Sequence, residues 1–426
     1  MPKVTTFGRS LPNKRNESTI TEENKRLKND FRASITTIGE AVGNIPIFKE
    51  GRTMTSTFAD NQKKTYYADI QKKIGFVCVG QMGGNLGAEF DKEGYTCAFI
   101  NSSDEDLSTL EVKYKYHIPN ASGCNHDREK GKMLVEEHYE SMGEEILSKM
   151  RGKELVFFIF SGGGGTGSGV SPMLMEYTSQ TLGIPVGAII AMPSVHEAPR
   201  AHRNTRQAYI EMTEYVTNLA AVFSIDNDKG DIIKLNQRFA FLFNELMRVP
   251  LYRDVRGNMD NAEILDMLST RGGAYITFFE EGGDLTKSLI ESWHKSNALA
   301  DLEHDRKVVT IGLSTMKDIP LPAITPEIGM PENVYRNVHP SKNLSVLVGL
   351  SFPNTRLDIA EEYHAQHVEK VVENIQNAQT AKVGAGKLDA LMGTVKRPEP
   401  KKAATETTDY RKNLQENLFG KFKSKG

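Results

Sequence analysis

Residues 155–169 read LVFFIFSGGGGTGSG, and this stretch decides the fold. Leu155 to Phe160 are apolar without a break, the mark of a strand covered on both faces. The strand runs directly into Ser161-Gly162-Gly163-Gly164-Gly165-Thr166-Gly167-Ser168-Gly169, and a helical pattern follows over Val170 to Leu182. A glycine loop in that position can turn its backbone N–H groups inward beside the positive end of a helix dipole, and so cradle phosphate. Glycine suits the task because a Cβ would hold phosphate oxygens away, while Thr166 and Ser168 add hydroxyl donors. No Gly-Lys-[Ser/Thr] is present, so the loop is not of the Walker A type. A flexible linker would not follow a buried strand so tightly.

Upstream, Ile74-Gly75-Phe76-Val77-Cys78-Val79 is a second continuous apolar run. It leads into Gly80-Gln81-Met82-Gly83-Gly84-Asn85, with a helix expected from Asn85. Strands are also expected at Thr96–Ile100, Pro185–Met192 and Ala220–Ile225, and helices at Arg128–Met150 and Asn204–Asn218. This alternation predicts an α/β fold, a Rossmann-type parallel sheet with helices on both faces. In such a sheet both glycine loops project from the carboxyl ends of strands, where ligands bind. A dinucleotide reading, and with it a nicotinamide-dependent oxidoreductase, fits poorly. Gly80-x-x-Gly83 is out of register for G-x-G-x-x-G, and the second strand ends in Asn101 rather than an acid.

Beyond Asp228 the pattern changes. Lys234–Val249 reads as one long helix and Ala262–Thr270 as another. Ala274–Phe279, Lys307–Ser314 and Asn343–Phe352 read as strands of a second sheet, with a helix over Asp284–Ala300 and a proline-rich loop over Pro320–Pro340. A last helix is expected over Asp358–Thr380. The domain reading is a polar extension over 1–70, with at most a helix at Glu22–Ile38, a nucleotide-binding domain over 71–232 and a central helix with its connection over 233–256. A smaller α/β domain over 257–383 and a basic tail over 384–426 complete it.

The formal net charge of -2 gives no bulk basic field for nucleic acid. Three cysteines without a CxxC pair suit a reducing cytoplasm rather than a disulfide framework or a zinc site. The polar, basic first residues carry no signal-peptide core, and no apolar run is long enough to insert in a membrane. From Lys396 to Gly426 there are nine basic and four acidic side chains, with Tyr410, Leu414, Leu418, Phe419 and Phe422 interleaved. Such a segment is either a solvated tail or a peptide that folds on a partner.

GGGGTGSG at 162–169 resembles the signature loop of the tubulin/FtsZ superfamily, and QMGGN at 81–85 is similar to the first phosphate loop of its FtsZ-like members. The resemblance runs over roughly residues 73 to 380. It implies a GTPase that polymerises head to tail, with GTP or GDP held by Gln81, Met82, Gly83, Gly84, Asn85, Gly163, Gly164, Gly165, Thr166, Gly167 and Ser168. It also implies a ribose contact at Glu197, four residues after Pro193, and a nearby arginine, for which Arg200 and Arg203 both stand available because Ala201 occupies the usual position between them. Asn227, in Asp226-Asn227-Asp228-Lys229, would read the base, and Asn244 on the central helix would grip it. The aromatic position four residues earlier falls on Ala240, and Phe239, Phe241 and Phe243 read more naturally as core. A triphosphate implies Mg²⁺, with Asp104 as a candidate ligand.

Asn258-Met259-Asp260-Asn261-Ala262-Glu263 has two readings. By spacing it is a capping box that opens a helix. By resemblance it is the loop that completes the next subunit's active site, so Asn258, Asp260 and Glu263 would act in trans. The basic tail is more like the plasmid and phage TubZ branch, in which it engages a DNA-bound adaptor, than like an FtsZ division protein.

Overall fold

A computed structural model describes residues 69–365, apart from 256 and 304–306. The expected extension over 1–70, including the helix at Glu22–Ile38, therefore falls almost wholly outside the described residues. So does the basic tail.

The chain alternates strand and helix as far as residue 226. The elements are β1 (Ile74–Val79), α1 (Gly80–Lys92), β2 (Thr96–Asn101), α2 (Asp104–Ser108), β3 (Tyr116–His117), α3 (Arg128–Met150), β4 (Leu155–Ser161), α4 (Thr166–Leu182), β5 (Val186–Met192), α5 (Pro199–Tyr215) and β6 (Leu219–Asp226). A 3-10 turn at Asn227–Lys229 leads into the central helix α6 (Ile232–Arg248) and a second 3-10 turn at Val249–Leu251. Then come α7 (Asn261–Ser269), β7 (Gly272–Phe278), α8 (Leu285–His294), β8 (Thr310–Thr315), α9 (Leu321–Ile328), β9 (Asn333–Val338) and β10 (Leu344–Leu350). Residues 354–365 are helical.

Successive side chains of a strand point to opposite faces, so the unbroken apolar runs feed two cores. Phe76, Cys78, Phe157 and Ile159 join the layer built by α1 and α6, while Val77, Val79, Val156, Phe158 and Phe160 join that of α3, α4 and α5. Phe239 and Phe243 of α6 are fully buried, packed with Phe223 and with one another, and Phe243 also meets Phe76, Phe90 and Phe157. The aromatic cluster of α6 is core at these two positions, and Phe241 is exposed beside Phe278.

Four expectations need correction. The strands after residue 270 do not form a second sheet. All the described strands belong to one sheet in the order β3-β2-β1-β4-β5-β6-β7-β10-β8-β9, because β7 pairs with β6 in parallel through Ala221–Gly272, Val222–Gly273 and Phe223–Ala274. The span 320–340 is not a loop. Pro320 and Pro322 stand at the start of α9, where a missing N–H costs nothing, and β9 follows. The helix expected from Asn85 begins five residues earlier. Gly80 turns the chain from strand to helix at φ +73°, a conformation glycine adopts freely, so Gln81 to Gly84 are helical. The helix expected at Asp284–Ala300 stops at His294.

The strand order reverses between β1 and β4, whose chains leave on opposite sides of the sheet. That is the switch point where a crevice opens beyond the carboxyl ends of the strands.

Candidate functional site

A cleft of 840 Å³ lies at this switch point, a size suited to a nucleotide. Its floor is the ends of β1, β2, β4 and β5 at Val79, Asn101, Ser161 and Ala191. Two helices begin at it, and they differ from the rest in how they begin. Side chains of Ser103, Asp127, Asp231, Asp260 and Asp284 cap α2, α3, α6, α7 and α8. Proline opens α5 and α9. Only α1 and α4, among α1–α9, start with neither a side-chain cap nor a proline, and neither carries an acid in its first turn. Their leading N–H groups have no intrahelical acceptor and no side-chain cap, and both dipoles present positive ends to the cleft. This is a receptor for a multiply charged anion.

Of the residues picked out in the sequence, Gln81, Met82, Asn85, Gly163, Gly164, Gly165, Thr166, Gly167, Glu197 and Asn227 line the cleft. Gly83, Gly84, Ser168, Arg203, Asn244 and Asp104 do not. Asn244 is buried midway along α6, Arg203 is exposed on α5, and Asp104 is exposed at the start of α2, with Glu105 and Asp106 on the cleft side instead. Gly83 is buried because a Cβ there would stand 2.3 Å from the Ile159 carbonyl oxygen.

The glycine loop has a second reason for its composition. A Cβ on Gly165 would lie 2.6 Å from the Asp127 nitrogen, on Gly169 2.5 Å from the Arg128 oxygen, and on Gly162 2.7 Å from the Thr205 methyl. These glycines let α3 and α5 close on the loop. Gly164 differs: its nearest neighbour would be Ser161 Cβ at 3.8 Å, and it faces the cleft.

Ser168 turns inward. Its hydroxyl donates to the Gly164 carbonyl, and Arg128 donates to Ser168 from Nε to the hydroxyl (3.2 Å) and from Nη2 to the carbonyl (2.9 Å). Arg128 is itself held by Glu211, with Lys132 Nζ 2.9 Å from the same carboxylate. All three are nearly buried, so this charge cluster fixes the loop from behind. Thr166 is held by the Ser102 hydroxyl at 2.6 Å.

The segment Ser122–His126, absent from the sequence reading, forms another wall. Asn125 and His126 both have positive φ (48° and 58°), and His126 Nδ1 lies 3.2 Å from the Gly163 oxygen. Asn204 Nδ2 donates to the carbonyls of both His126 and Gly163. Left-handed residues such as these carry no periodic signal, so nothing in the sequence marked them. Ile232 and Ile233, both exposed at the start of α6, also line the cleft. They offer apolar surface beside Asn227.

Asp260 and Glu263 do form the capping box. The Asp260 carboxylate accepts from the N–H groups of Ala262 and Glu263, and Glu263 accepts from the Asp260 N–H at 2.9 Å. Asp260 and Asn258 line a different cavity, with Lys72, Lys73 and Arg253. Neither they nor Glu263 reach the cleft within one chain. The cysteines are buried and unpaired, and burial pushes the Cys78 thiol up. Among the described residues no helix is long and apolar enough to cross a membrane.

Comparison with known proteins agrees with this geometry. Residues 73–233 match the tubulin/FtsZ family, GTPase domain. The tubulin-like protein TubZ of a Clostridium botulinum C phage is 27% identical over 303 residues, covering 69% of this chain and 83% of the relative. The solved structure of Clostridium botulinum phage c-st TubZ, truncated at its C-terminal tail, superposes with TM-score 0.64 at 26% identity, over 71% of this chain and 99% of that one. A GTPγS-form protofilament of Bacillus thuringiensis serovar israelensis TubZ shares the fold, with TM-score 0.62 at 14% identity over 73% and 94% of the two chains. A parallel sheet with two uncapped helix starts at its switch point, and this set of relatives, make residues 73–233 similar to the tubulin/FtsZ GTPase domain and the chain similar to phage TubZ.

Proposed function

We propose that this chain binds GTP in the cleft and hydrolyses it when copies stack head to tail into a filament. The observation that carries the reading is the pair of uncapped helix starts, α1 and α4, opening on one cleft. The triphosphate lies along Gln81–Met82 and Gly163–Gly167, Glu197 faces the ribose, and Asn227 with Ile232 and Ile233 faces the base. Arg128, through Ser168, keeps the phosphate loop in shape, so little reorganisation accompanies binding.

Among the described residues no cluster of three or more His, Cys, Asp or Glu side chains could hold a metal alone. That fits Mg²⁺, which is held by phosphate oxygens, waters and one or two carboxylates. Glu105 and Asp106 are the candidate carboxylates at the cleft, in place of Asp104. The ion, when bound, neutralises phosphate charge.

The carboxylates that line the cleft, like Asp260 and Glu263 in their capping box, each accept a hydrogen bond within the chain. Asp106 accepts from Asn101, Glu105 from Ser103, Glu197 from the Ser194 N–H, and Asp231 caps α6. Asp260 and Glu263, with Asn258, lie on another surface, where a stacked neighbour would bring them to the next chain's γ-phosphate to orient the attacking water. The likeness to phage TubZ favours a role in moving DNA, with the basic segment 396–426 engaging a DNA-bound adaptor. An FtsZ-like division role is the second reading, without a structural feature that favours it.

The test is GTP-dependent light scattering measured alongside phosphate release over a range of protein concentrations. A shared threshold concentration is expected. Phosphate release proportional to concentration, without scattering, would refute the trans arrangement.

A further inference from the structure

One guanidinium ties together the segments that shape the nucleoside end of the cleft, and it comes from the far end of the described chain. Arg356 lies in the helical stretch 354–365. Its Nε donates to Asp226 Oδ2 (3.1 Å), and its Nη2 donates to Asp226 Oδ1 (3.1 Å), Asp228 Oδ2 (2.6 Å) and the Pro193 carbonyl (2.9 Å). Asp226 ends β6, Asp228 sits in the 3-10 turn beside Asn227, and Pro193 opens the loop that carries Glu197. Asp228 extends the network by accepting from the Ser194 hydroxyl (2.6 Å) and the Val195 N–H. Asp226 accepts from the Asp228 N–H at 3.1 Å. Arg356 and Asp226 are 11% and 4% exposed, so the pair they form is sheltered from water. Arg356 does not itself line the cleft, whereas Asn227 and Glu197 do.

We propose that Arg356 is a positioning residue that holds Asn227 and Glu197 in register for the base and ribose, so that the helix at 354–365 and the nucleotide are thermodynamically linked. The proposal rests on the GTP-binding reading above. A planar fork meeting two carboxylates and a carbonyl ties together the segments that follow β5 and β6 with one side chain, which a lysine's single ammonium cannot reproduce. Linkage is reciprocal: a partner that lifts this helix lowers nucleotide affinity, and bound nucleotide seats the helix.

A second contact of the same helix supplies the control. Arg206 on α5 pairs with Asp358 and Glu361, one and two turns along, and touches neither loop. The experiment measures GTP and GDP affinity of the full chain by displacement of a fluorescent guanine nucleotide, for wild type, Arg356→Gln, Arg206→Gln, Asp228→Asn and the Arg356→Gln/Asp228→Asn double variant. Thermal melting checks that each folds. Arg356→Gln is expected to weaken GTP and GDP by the same factor, about 3- to 30-fold, because the γ-phosphate is not involved. Arg206→Gln should match wild type, and the double variant should be no weaker than its weaker parent. Equal losses in Arg206→Gln and Arg356→Gln would reduce the effect to helix docking and overturn the proposal, as would wild-type affinity in Arg356→Gln or a loss confined to GTP. Failure of the wild-type chain to bind either nucleotide would overturn the GTP reading and this proposal with it.

Discussion

Gly164 and Gly165 are neighbours in one loop, yet the structure assigns them different work, and alanine separates the two. At Gly165 an added Cβ would stand 2.6 Å from the Asp127 nitrogen, 2.8 Å from Cys124 Cβ and 3.0 Å from the Asp127 oxygen. These are mostly backbone atoms at the start of α3 and cannot swing aside. Gly165→Ala should therefore destabilise the fold by about 1–3 kcal/mol, the usual cost of overpacking. At Gly164 the nearest atom would be 3.8 Å away, and the residue is not among those with positive φ. Gly164→Ala should leave stability within about 1 kcal/mol of wild type. Its methyl group would, however, project where a phosphate oxygen must approach the backbone. Losing one charge-assisted hydrogen bond there is worth about 1.5–3 kcal/mol, or roughly 10- to 150-fold in affinity. The assays are a denaturant midpoint for folding and nucleotide displacement for binding. Wild-type GTP affinity in Gly164→Ala would refute the phosphate cradle. A wild-type midpoint in Gly165→Ala would refute the packing reason for the glycines.

Asp260→Asn keeps a good helix cap but removes the carboxylate; GTP binding and melting temperature should hold while filament-stimulated phosphate release falls by about 10²–10⁴-fold, and unchanged turnover would remove Asp260 from the reaction. Glu211→Ala leaves Arg128 and Lys132 without their shared buried carboxylate. A loss of about 3–5 kcal/mol is expected in urea unfolding, with weaker GTP binding because Ser168 loses its anchored partner; a loss below about 1 kcal/mol would contradict the network's role. His339 supplies a pH test. Burial, and then the Lys342 ammonium, hold its imidazole down to about 4, and Nδ1 accepts from the N–H groups of Ser341 and Lys342. The unfolded chain takes up this proton near its ordinary value of about 6.5 and the folded chain only near 4, so stability from this group is full above the unfolded value and is lost as pH falls between the two. His339→Asn should flatten that part of the stability–pH curve, and an unchanged slope would assign it to other groups.

The parallel sheet and its two glycine loops were legible because buried strands and glycine-rich turns leave local signals. So was the capping box at Asp260, where a short spacing fixes a local hydrogen-bond pattern. The cleft's third wall at Ser122–His126 was not legible, since a short run of left-handed residues has no period. Ile232 and Ile233 read as ordinary helix residues until the cleft showed them at its mouth. The helix at α9 was hidden by its prolines: Pro320 and Pro322 sit at its start, where they are tolerated, and Pro326 lies within it.

The alternation of strand and helix, the two glycine loops and the absence of a Walker lysine could be read along the chain, because each depends on residues adjacent in it. Which glycines face the cleft and which face protein emerged only from the packing, since that turns on what α3 and α5 bring against the loop. The packing alone brought Glu211 behind Ser168, and Arg356 onto Asp226 from 130 residues away. Those pairings arise from how the helices pack on the sheet, and no local pattern encodes that packing.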